Sequence, residues 1–409
     1  MTHSTVATGH RTAMFIAFLG ALTALAPLSN DLLVPSLPLV AAGLGSSQGD
    51  IQLTMTAVLM GFAMGQLFYG PLSDRFGRRA LLLPGLTLYV LASLLCGSST
   101  DLPSLVVGRF LQGLGGAAGM VLARAIILDH WTGTEASRVL SWVAVIAFMT
   151  PVCAPLIGGY VASLTHWSLV FWLQAGVGAL CLLGGVGLLR RVRGPDRNVS
   201  INRRFLAYLD VLRDREALIY MACMGCGHAG VMAFVTNSAF VFVRHLGLEA
   251  YQYGFCFSIV MLGGAVGSFI NGRLVMRLGI TKLLSVGTVI VALAGIIGLF
   301  ANIFLGGLLA ILIPSMFYTF GMAFIFSNVI AHVLTRFRGH AGAAAAVVGV
   351  NQFLAGALAS SVLSLNDVPS PIPLASALAA GGIASAGLWW GWLKRGPGAR
   401  ATPRESGVG

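Results

Sequence analysis

Charged residues are scarce in this sequence: Asp, Glu, Lys and Arg make up 9% of its 409 residues, against 57% for hydrophobic residues. Soluble domains carry about 25% charged residues, so the composition excludes an ordinary soluble protein. A membrane-spanning helix needs about 20 apolar residues. About twelve such runs occur along the chain. The sequence therefore predicts an all-α integral membrane protein with twelve transmembrane helices.

Motifs of nucleotide-driven and hydrolytic enzymes are also lacking. There is no Gly-x-x-x-x-Gly-Lys phosphate loop and no Gly-x-Ser-x-Gly elbow. The glycine-rich run 113–118 imitates a dinucleotide fingerprint, but it lies in the middle of an apolar run with no preceding strand, which favours helix packing. Cys223, Cys226 and His228 imitate a metal cluster, but they share one apolar run, where small buried thiols are the simpler interpretation. We expect no enzyme activity, no cofactor and no metal site.

Acidic residues are fewer than basic ones: 13 Asp and Glu stand against 25 Lys and Arg, a net charge of +12. Such an excess can indicate nucleic-acid binding, but its placement argues against that partner. Of the basic residues, 22 fall in alternate segments between apolar runs, and the exceptions are Arg109, Arg124 and Arg244. This positive-inside distribution predicts that both termini lie in the cytoplasm.

One long hydrophilic stretch divides the chain. Residues 190–216 contain eight arginines, which indicates a linker between two domains. Apolar residues at helical spacing within it (Ile201, Phe205, Leu209 and Leu212) predict a short amphipathic helix on the cytoplasmic membrane face. The predicted parts are an N-terminal six-helix bundle at 1–190, a basic cytoplasmic linker at 191–215, a C-terminal six-helix bundle at 216–395 and a disordered cytoplasmic tail at 396–409.

A charged segment, residues 65–79, separates two apolar runs at roughly 51–72 and 80–98. Its three arginines, one aspartate and a Gly-Pro pair predict a tight cytoplasmic loop between two membrane helices. A weaker copy occurs 202 residues later, with Met276 at the position of Asp74. Shared residues at a constant offset indicate a duplicated chain, as in many transporters. The matched pairs are Gly65 and Gly267, Gly70 and Gly272, Arg75 and Arg277, and Gly77 and Gly279.

Only one acidic residue, Asp31, lies clearly within an apolar run. A charge at the centre of a membrane helix costs at least about 2.5–3.5 kcal/mol, so such a carboxylate is a functional candidate. Counted from an outer helix end near Ala41, Asp31 lies about 15 Å below the surface. It would bind and release a proton, or bind substrate, as a cavity opens to either side. In the alternative interpretation Asp31, which precedes Pro35 and Pro38, only ends the first helix near the surface.

Arg109 is a second charge within a span, about 10 Å below the same surface. Gln112 and Gly113 share its helix face because they follow at i+3 and i+4. We expect a polar patch in a water-filled cavity shared with Asp31, and a structural ion pair is the alternative. His228, in a later span, is a further protonatable candidate, for which satisfied packing is the alternative.

The fifth apolar run is interrupted by Pro151, Pro155 and the pair Gly158-Gly159. Prolines and adjacent glycines bend or loosen a helix. A kinked helix at a domain interface suits a gate, and packing alone is the alternative.

These elements together resemble the major facilitator superfamily, specifically the twelve-span drug:proton antiporters of the bicyclomycin and chloramphenicol resistance type. The resemblance covers nearly the whole chain. Residues 65–79 carry its most specific signal, the signature of the loop between helices 2 and 3. Asp31 followed by Leu-Leu-Val-Pro resembles the helix-1 pattern Asp-Met-Tyr-Leu-Pro. Arg109-Phe-Leu-Gln-Gly resembles the helix-4 signature, and Ala154-Pro155-Leu-Ile-Gly158-Gly159 resembles the helix-5 antiporter signature.

The resemblance implies two pseudo-symmetric six-helix domains that rock about a central cavity, with proton entry driving export of small amphipathic compounds or antibiotics. It implies that Arg109 takes part in proton transfer. We expect a multi-pass protein of a bacterial cytoplasmic membrane that acts as a monomer on a small molecule and protons within the lipid bilayer. Export of a native metabolite, such as a sugar or an amino acid, is the alternative within this class. A membrane receptor or enzyme without transport is the alternative outside it.

The charged segment 65–79 has a proposed mechanical role as well. Asp74 is expected to cap the positive N-terminal end of a helix near Gly342, in the other domain. Arg78 is expected to pair with Asp129 at the cytoplasmic end of helix 4. Together they would latch the cytoplasmic side in the outward-facing state; topology alone is the alternative. The predicted latch residues are Gly70, Asp74, Arg75, Gly77, Arg78 and Asp129.

Overall fold

The computed structural model of the chain describes residues 3–131, 133–164, 166–189, 201–337, 341–365 and 370–395. Over these ranges the backbone forms helices and no β-strand. The α-helices are α1 His3–Asp31, α2 Leu37–Gly43, α3 Gln48–Phe76, α4 Arg78–Gly97, α5 Leu102–His130, α6 Gly133–Leu164, α7 Leu169–Leu188, α8 Ile201–Arg213, α9 Arg215–Ala239, α10 Ala250–Leu278, α11 Ile280–Phe304, α12 Leu308–Arg336, α13 Ala341–Leu363 and α14 Pro371–Arg395. Residues 191–200 of the predicted linker and the predicted tail at 396–409 lie outside the described residues.

Twelve helical segments of the described chain are long and apolar enough to cross a membrane. α1 and α2 form one interrupted span at Ala13–Gly43, and α9 with a following π-turn forms another at Arg215–His245. α8 is not among them. The prediction of twelve transmembrane helices is confirmed, and the protein is a multi-pass membrane protein.

The two ends of the bundle differ in their content of basic residues. The end that carries Gly77, α8 and Gly279 is the basic end. The opposite end, with residues 44–47, 98–101 and 246–249, is the outer end, following the positive-inside prediction.

Two helices of the N-terminal half have counterparts of the same length in the C-terminal half. α3 and α10 each have 29 residues, and each is followed by a glycine with positive φ, Gly77 at 98° and Gly279 at 78°. Other residues rarely adopt such φ values, so glycine permits one helix to turn directly into the next. α5 and α12 also have 29 residues each. The duplication predicted from the sequence is thus visible in the backbone.

The tight turn predicted within 65–79 between two membrane helices is present, but it is shorter than expected, because most of the charged segment is helical. α3 continues through Gly70 and Pro71 to Phe76, and α4 begins at Arg78. Gly77 is therefore the only residue between the two helices. A longer turn was expected because a Gly-Pro pair usually ends a helix.

The linker helix α8 explains why α3 tolerates its proline. Pro71 has no N–H to donate to the carbonyl of Leu67, the bond that an α-helix would make there. The Tyr208 hydroxyl of α8 donates to that carbonyl instead, at 2.9 Å. Burial raises the pKa of Tyr208 to about 12, so this hydroxyl keeps its proton at neutral pH.

α8 confirms the short helix predicted within the linker. Ala207, Tyr208 and Val211 are buried on the side that contacts α3 and α13. Leu209 and Leu212, part of the apolar face predicted from spacing, are exposed on the protein surface. α8 therefore presents one face to the protein and a second apolar face outward.

The two halves contact each other most extensively along two helix pairs, α3 with α13 and α6 with α10. In the first seam, the Ser360 hydroxyl donates to the Gln52 carbonyl at 3.1 Å. In the second, the Ser258 hydroxyl donates to the Val152 carbonyl at 2.6 Å. These contacts enclose the interior toward the outer end, where the candidate site lies.

Candidate proton and substrate site

Asp31 is the last residue of α1, at a break in the first span. Pro35 cannot donate to the Asp31 carbonyl, so the α-helix stops and a 3₁₀ turn at Val34–Ser36 leads into α2. Asp31 is only 7% exposed, and its carboxyl has no hydrogen bond or ion pair among the described residues. Asp31 thus ends a helix, as the alternative interpretation has it, but it does so inside the protein and not near its surface. Its role in coupling stays a prediction.

Arg109 is fully buried on α5 and is held by neutral groups. Its guanidinium donates to the Ser29 carbonyl at 2.9 Å, to Gln112 Oε1 at 2.6 Å and to Asn30 Oδ1 at 3.1 Å. Among the described residues no carboxylate pairs with it, so Asp31 and Arg109 form no ion pair. Arg109 instead binds Ser29 and Asn30, the two residues that directly precede Asp31. The position of the guanidinium therefore depends on the end of α1.

Gln112 extends this network to two further helices. Its amide nitrogen donates to Ser93 Oγ on α4 at 2.8 Å and to Gln174 Oε1 on α7 at 2.7 Å. Gln174 in turn donates to the Ser29 carbonyl at 3.3 Å. The polar patch expected around Arg109 and Gln112 therefore spans four helices of the N-terminal half.

Sequence reasoning missed several members of the network. Asn30, Ser93 and Gln174 are polar residues inside apolar runs, and that was the only available signal. Tyr89 also belongs here, because its hydroxyl lies 2.9 Å from Ser29 Oγ. Helical periodicity does not separate these residues from other buried polar side chains; their contacts across helices do.

The predicted kinked helix, α6, passes between the break in α1 and the C-terminal half. A Cβ at Gly158 would overlap the Leu32 carbonyl, and one at Gly159 would lie 2.5 Å from the Ala250 carbonyl. Across the same seam, a Cβ at Gly254 would lie 2.5 Å from the Pro155 carbonyl. Both glycines of the pair thus serve close backbone contacts, one within the N-terminal half and one across the two halves.

A polar group of the C-terminal half faces the same region. The hydroxyls of Ser238 on α9 and Tyr253 on α10 lie 2.7 Å apart, and Tyr253 is within electrostatic range of Asp31. α9 ends just beyond Ser238 in a π-turn at Phe240–His245. π-turns within helices often occur at functional sites, and no pattern in the sequence indicated this one.

His228 lies buried on α9, with its ring centroid 6.4 Å from that of Phe326. On the same helix the Cys223 thiol lies 3.2 Å from the Ser385 hydroxyl. Within the described ranges no group of three or more His, Cys, Asp or Glu side chains is placed to bind a metal.

Arg78 contacts three polar side chains at the basic end of the N-terminal half. It forms an ion pair with Asp74, donates to Asp129 Oδ2 at 2.9 Å and donates to Ser73 Oγ at 2.6 Å. The pairing expected between Arg78 and Asp129 is present. The cap expected from Asp74 near Gly342 involves a helix start next to residues 338–340, which lie outside the described residues, so it stays a prediction.

Arg75, Gly70 and Gly77 complete the predicted set. Arg75 lies with its guanidinium carbon 5.6 Å from the ring centroid of Phe76, on the exposed surface. Gly70 lies within α3 and no atom approaches its Cβ position within 4 Å, whereas Gly77 is required by its φ. The structure brings Asp74, Arg78 and Asp129 together but leaves Arg75 outside this cluster.

The Major Facilitator Superfamily model matches residues 19–360. The chain is 31% identical to the uncharacterized MFS-type transporter YdgK of Bacillus subtilis, over 88% of this chain and 90% of the relative. It is 28% identical to a bicyclomycin resistance protein homolog of Haemophilus influenzae, over 89% and 92%. Among solved structures, a D-xylose-proton symporter aligns with a TM-score of 0.72 at 15% identity, over 92% and 96%, which shows the shared fold.

Proposed function

The chain belongs to the major facilitator superfamily, and we propose that it exports small amphipathic compounds, including antibiotics, in exchange for protons. Two observations support this proposal. The bicyclomycin resistance homolog aligns over almost its whole length. The chain also carries the buried acid that such an exchange requires, Asp31. In the same half of the molecule, the other buried charge, Arg109, is held in place by hydrogen bonds.

The single observation that carries the proposal is the state of Asp31. A buried carboxylate without a partner is costly, and it is relieved by binding either a proton or a cationic or hydrogen-bonding group of a substrate. Competition between the two for one carboxyl couples their movements if each prefers a different state. One proton crossing 100 mV supplies about 2.3 kcal/mol, and a pH gradient adds to this.

The proposal also specifies the orientation, the energy source and the functional unit. The basic end faces the cytoplasm, with both termini on that side, in the cytoplasmic membrane of a bacterium. The proton gradient is the energy source, so no cofactor is needed. One chain contains both halves and the complete site, so we propose that the monomer is the functional unit.

The proposal is tested by drug transport into inverted membrane vesicles under an imposed proton gradient. Asp31→Asn is expected to abolish gradient-driven accumulation, because the amide cannot exchange a proton. Asp101→Asn is the matched control: Asp101 caps α5 at the outer end, where asparagine caps as well. Undiminished gradient-driven transport by Asp31→Asn would refute the role of Asp31. A substrate screen in a pump-deficient host separates drug export from export of a native metabolite.

A further inference from the structure

Two glutamines at the outer end of α3 lack hydrogen-bond partners. Gln48 and Gln52 are 2% and 0% exposed, and the Nε2 and Oε1 atoms of both are buried without a partner in the described part of the chain. Most buried polar side-chain atoms are paired, and an unpaired one is unfavourable. Two carboxamides one turn apart, with all their polar atoms unpaired, therefore suggest a ligand that is not bound in this conformation.

These glutamines share a helix face with a contact of Arg109. Gln48, Gln52 and Met55 lie at i, i+4 and i+7 on α3, which places them on one side of the helix. The Arg109 guanidinium lies 3.5 Å from Met55 Sδ. Along the helix axis, Gln52 is about 4.5 Å and Gln48 about 10 Å farther out than Met55. The face runs from the Arg109 network toward the outer end.

The same part of α3 borders the seam between the two halves. The Gln52 carbonyl accepts the bond from Ser360, and the Ser361 hydroxyl donates to Thr56 Oγ1 at 3.3 Å. Separation of α3 from α13 at the outer end would break these bonds. The glutamine side chains are closed off in this conformation, so a ligand can reach them only if the outer side opens.

We propose that Gln48 and Gln52 form a binding subsite for uncharged hydrogen-bonding groups of the substrate: hydroxyl, amide or carbonyl. Each carboxamide has two N–H donors and one acceptor oxygen, so it can bind such groups irrespective of net charge. Asp31 binds the proton or a cationic group, and the glutamines select neutral polar groups farther out. The inference rests on the proposed export function and specifies the substrate class for this part of the cavity.

The test measures transport by the purified full-length protein in proteoliposomes with two probes. Bicyclomycin is neutral and rich in hydroxyl and amide groups, whereas tetraphenylphosphonium is a cation without hydrogen-bonding groups. Gln48→Leu and Gln52→Leu are each expected to raise the apparent KM for bicyclomycin about three- to tenfold, the range of one or two lost hydrogen bonds. Transport of tetraphenylphosphonium should be unchanged.

Gln66→Leu is the matched control, because Gln66 lies on the same helix and seam near the basic end, against Gly349. It should change transport of neither probe. The leucine variants remove unpaired buried groups and are therefore expected to fold as well as the wild type, which a thermal melt checks.

Equal losses for both probes, or no loss for either, would overturn the inference, because a purely structural role acts on every substrate alike. Wild-type protein that exports the cation but no neutral compound would also overturn it. Wild-type protein that moves neither drugs nor protons with any compound of a drug panel contradicts the export function itself, so the two failures are distinguishable.

Discussion

Asp31 and Arg109 are both buried in the N-terminal half, but they differ in their hydrogen-bond partners. Arg109 donates to the Ser29 carbonyl and to the side chains of Asn30 and Gln112. Hydrogen bonds to neutral groups hold a guanidinium in place without fixing a counter-charge. Asp31 has no such partners among the described residues. A proton can therefore bind to Asp31 or leave it without breaking an ion pair, which is what coupling requires.

At Gly158 there is room for the hydrogen atom of glycine but not for the methyl group of alanine. Gly158→Ala places a Cβ against the Leu32 carbonyl, next to Asp31, so the break in α1 must shift. Overpacking of this kind costs about 1–3 kcal/mol. We expect a lower melting temperature of the purified protein and reduced drug export.

Gly176→Ala on α7 is the control, because no atom lies within 4 Å of its Cβ position. It should leave both measurements unchanged. If both alanine variants match the wild type, the close contact of α6 with the break in α1 has no energetic importance.

At the scale of helices, α3 and α8 depend on each other. α3 continues past Pro71 because Tyr208 of α8 donates to the carbonyl that the proline leaves without a donor. The helical turn that carries Asp74 is therefore supported by the linker. The linker helix is fastened to the N-terminal half at Leu67 and also contacts α13 of the C-terminal half.

Tyr208→Phe removes this donor and leaves the Leu67 carbonyl unpaired. The Leu67 carbonyl is half-buried, so the loss of its partner costs about 1 kcal/mol, the low end of the range for buried groups. We expect faster hydrogen–deuterium exchange of the backbone amides at residues 72–76, because the last turns of α3 open more often. Tyr251→Phe, at an exposed tyrosine on α10, should not change this exchange. Unchanged exchange in Tyr208→Phe would mean that α3 tolerates Pro71 without α8.

At the scale of the whole molecule, the two halves are closed against each other toward the outer end. α6 meets α10 through Gly159 and Gly254, and α3 meets α13 through Gln52 and Ser360. Alternating access requires these contacts to separate while other contacts form at the basic end. The repeated build of the two halves suits this motion, because two similar bundles can rock against each other as bodies.

The sequence was sufficient for the architecture because apolar runs, positive-inside charge and the repeated glycines are strong one-dimensional signals. It also predicted that Asp31 and Arg109 lie inside the protein, since a charge inside an apolar run is rare. It could not identify Gln174, Gln48 or Gln52, because their significance lies in partners, or missing partners, across helices. The length of the turn within 65–79 was overestimated for the same reason: the donor that replaces the proline N–H is far away in sequence.

Proton release on drug binding tests the coupling claim most directly. Compounds of a drug panel are added to purified wild-type protein in weakly buffered detergent solution, and released protons are measured with a pH indicator. We predict that a transported compound displaces a proton from the wild type and from Asp101→Asn, and none from Asp31→Asn. Release from Asp31→Asn equal to that from the wild type, with the same compound bound, would contradict the account.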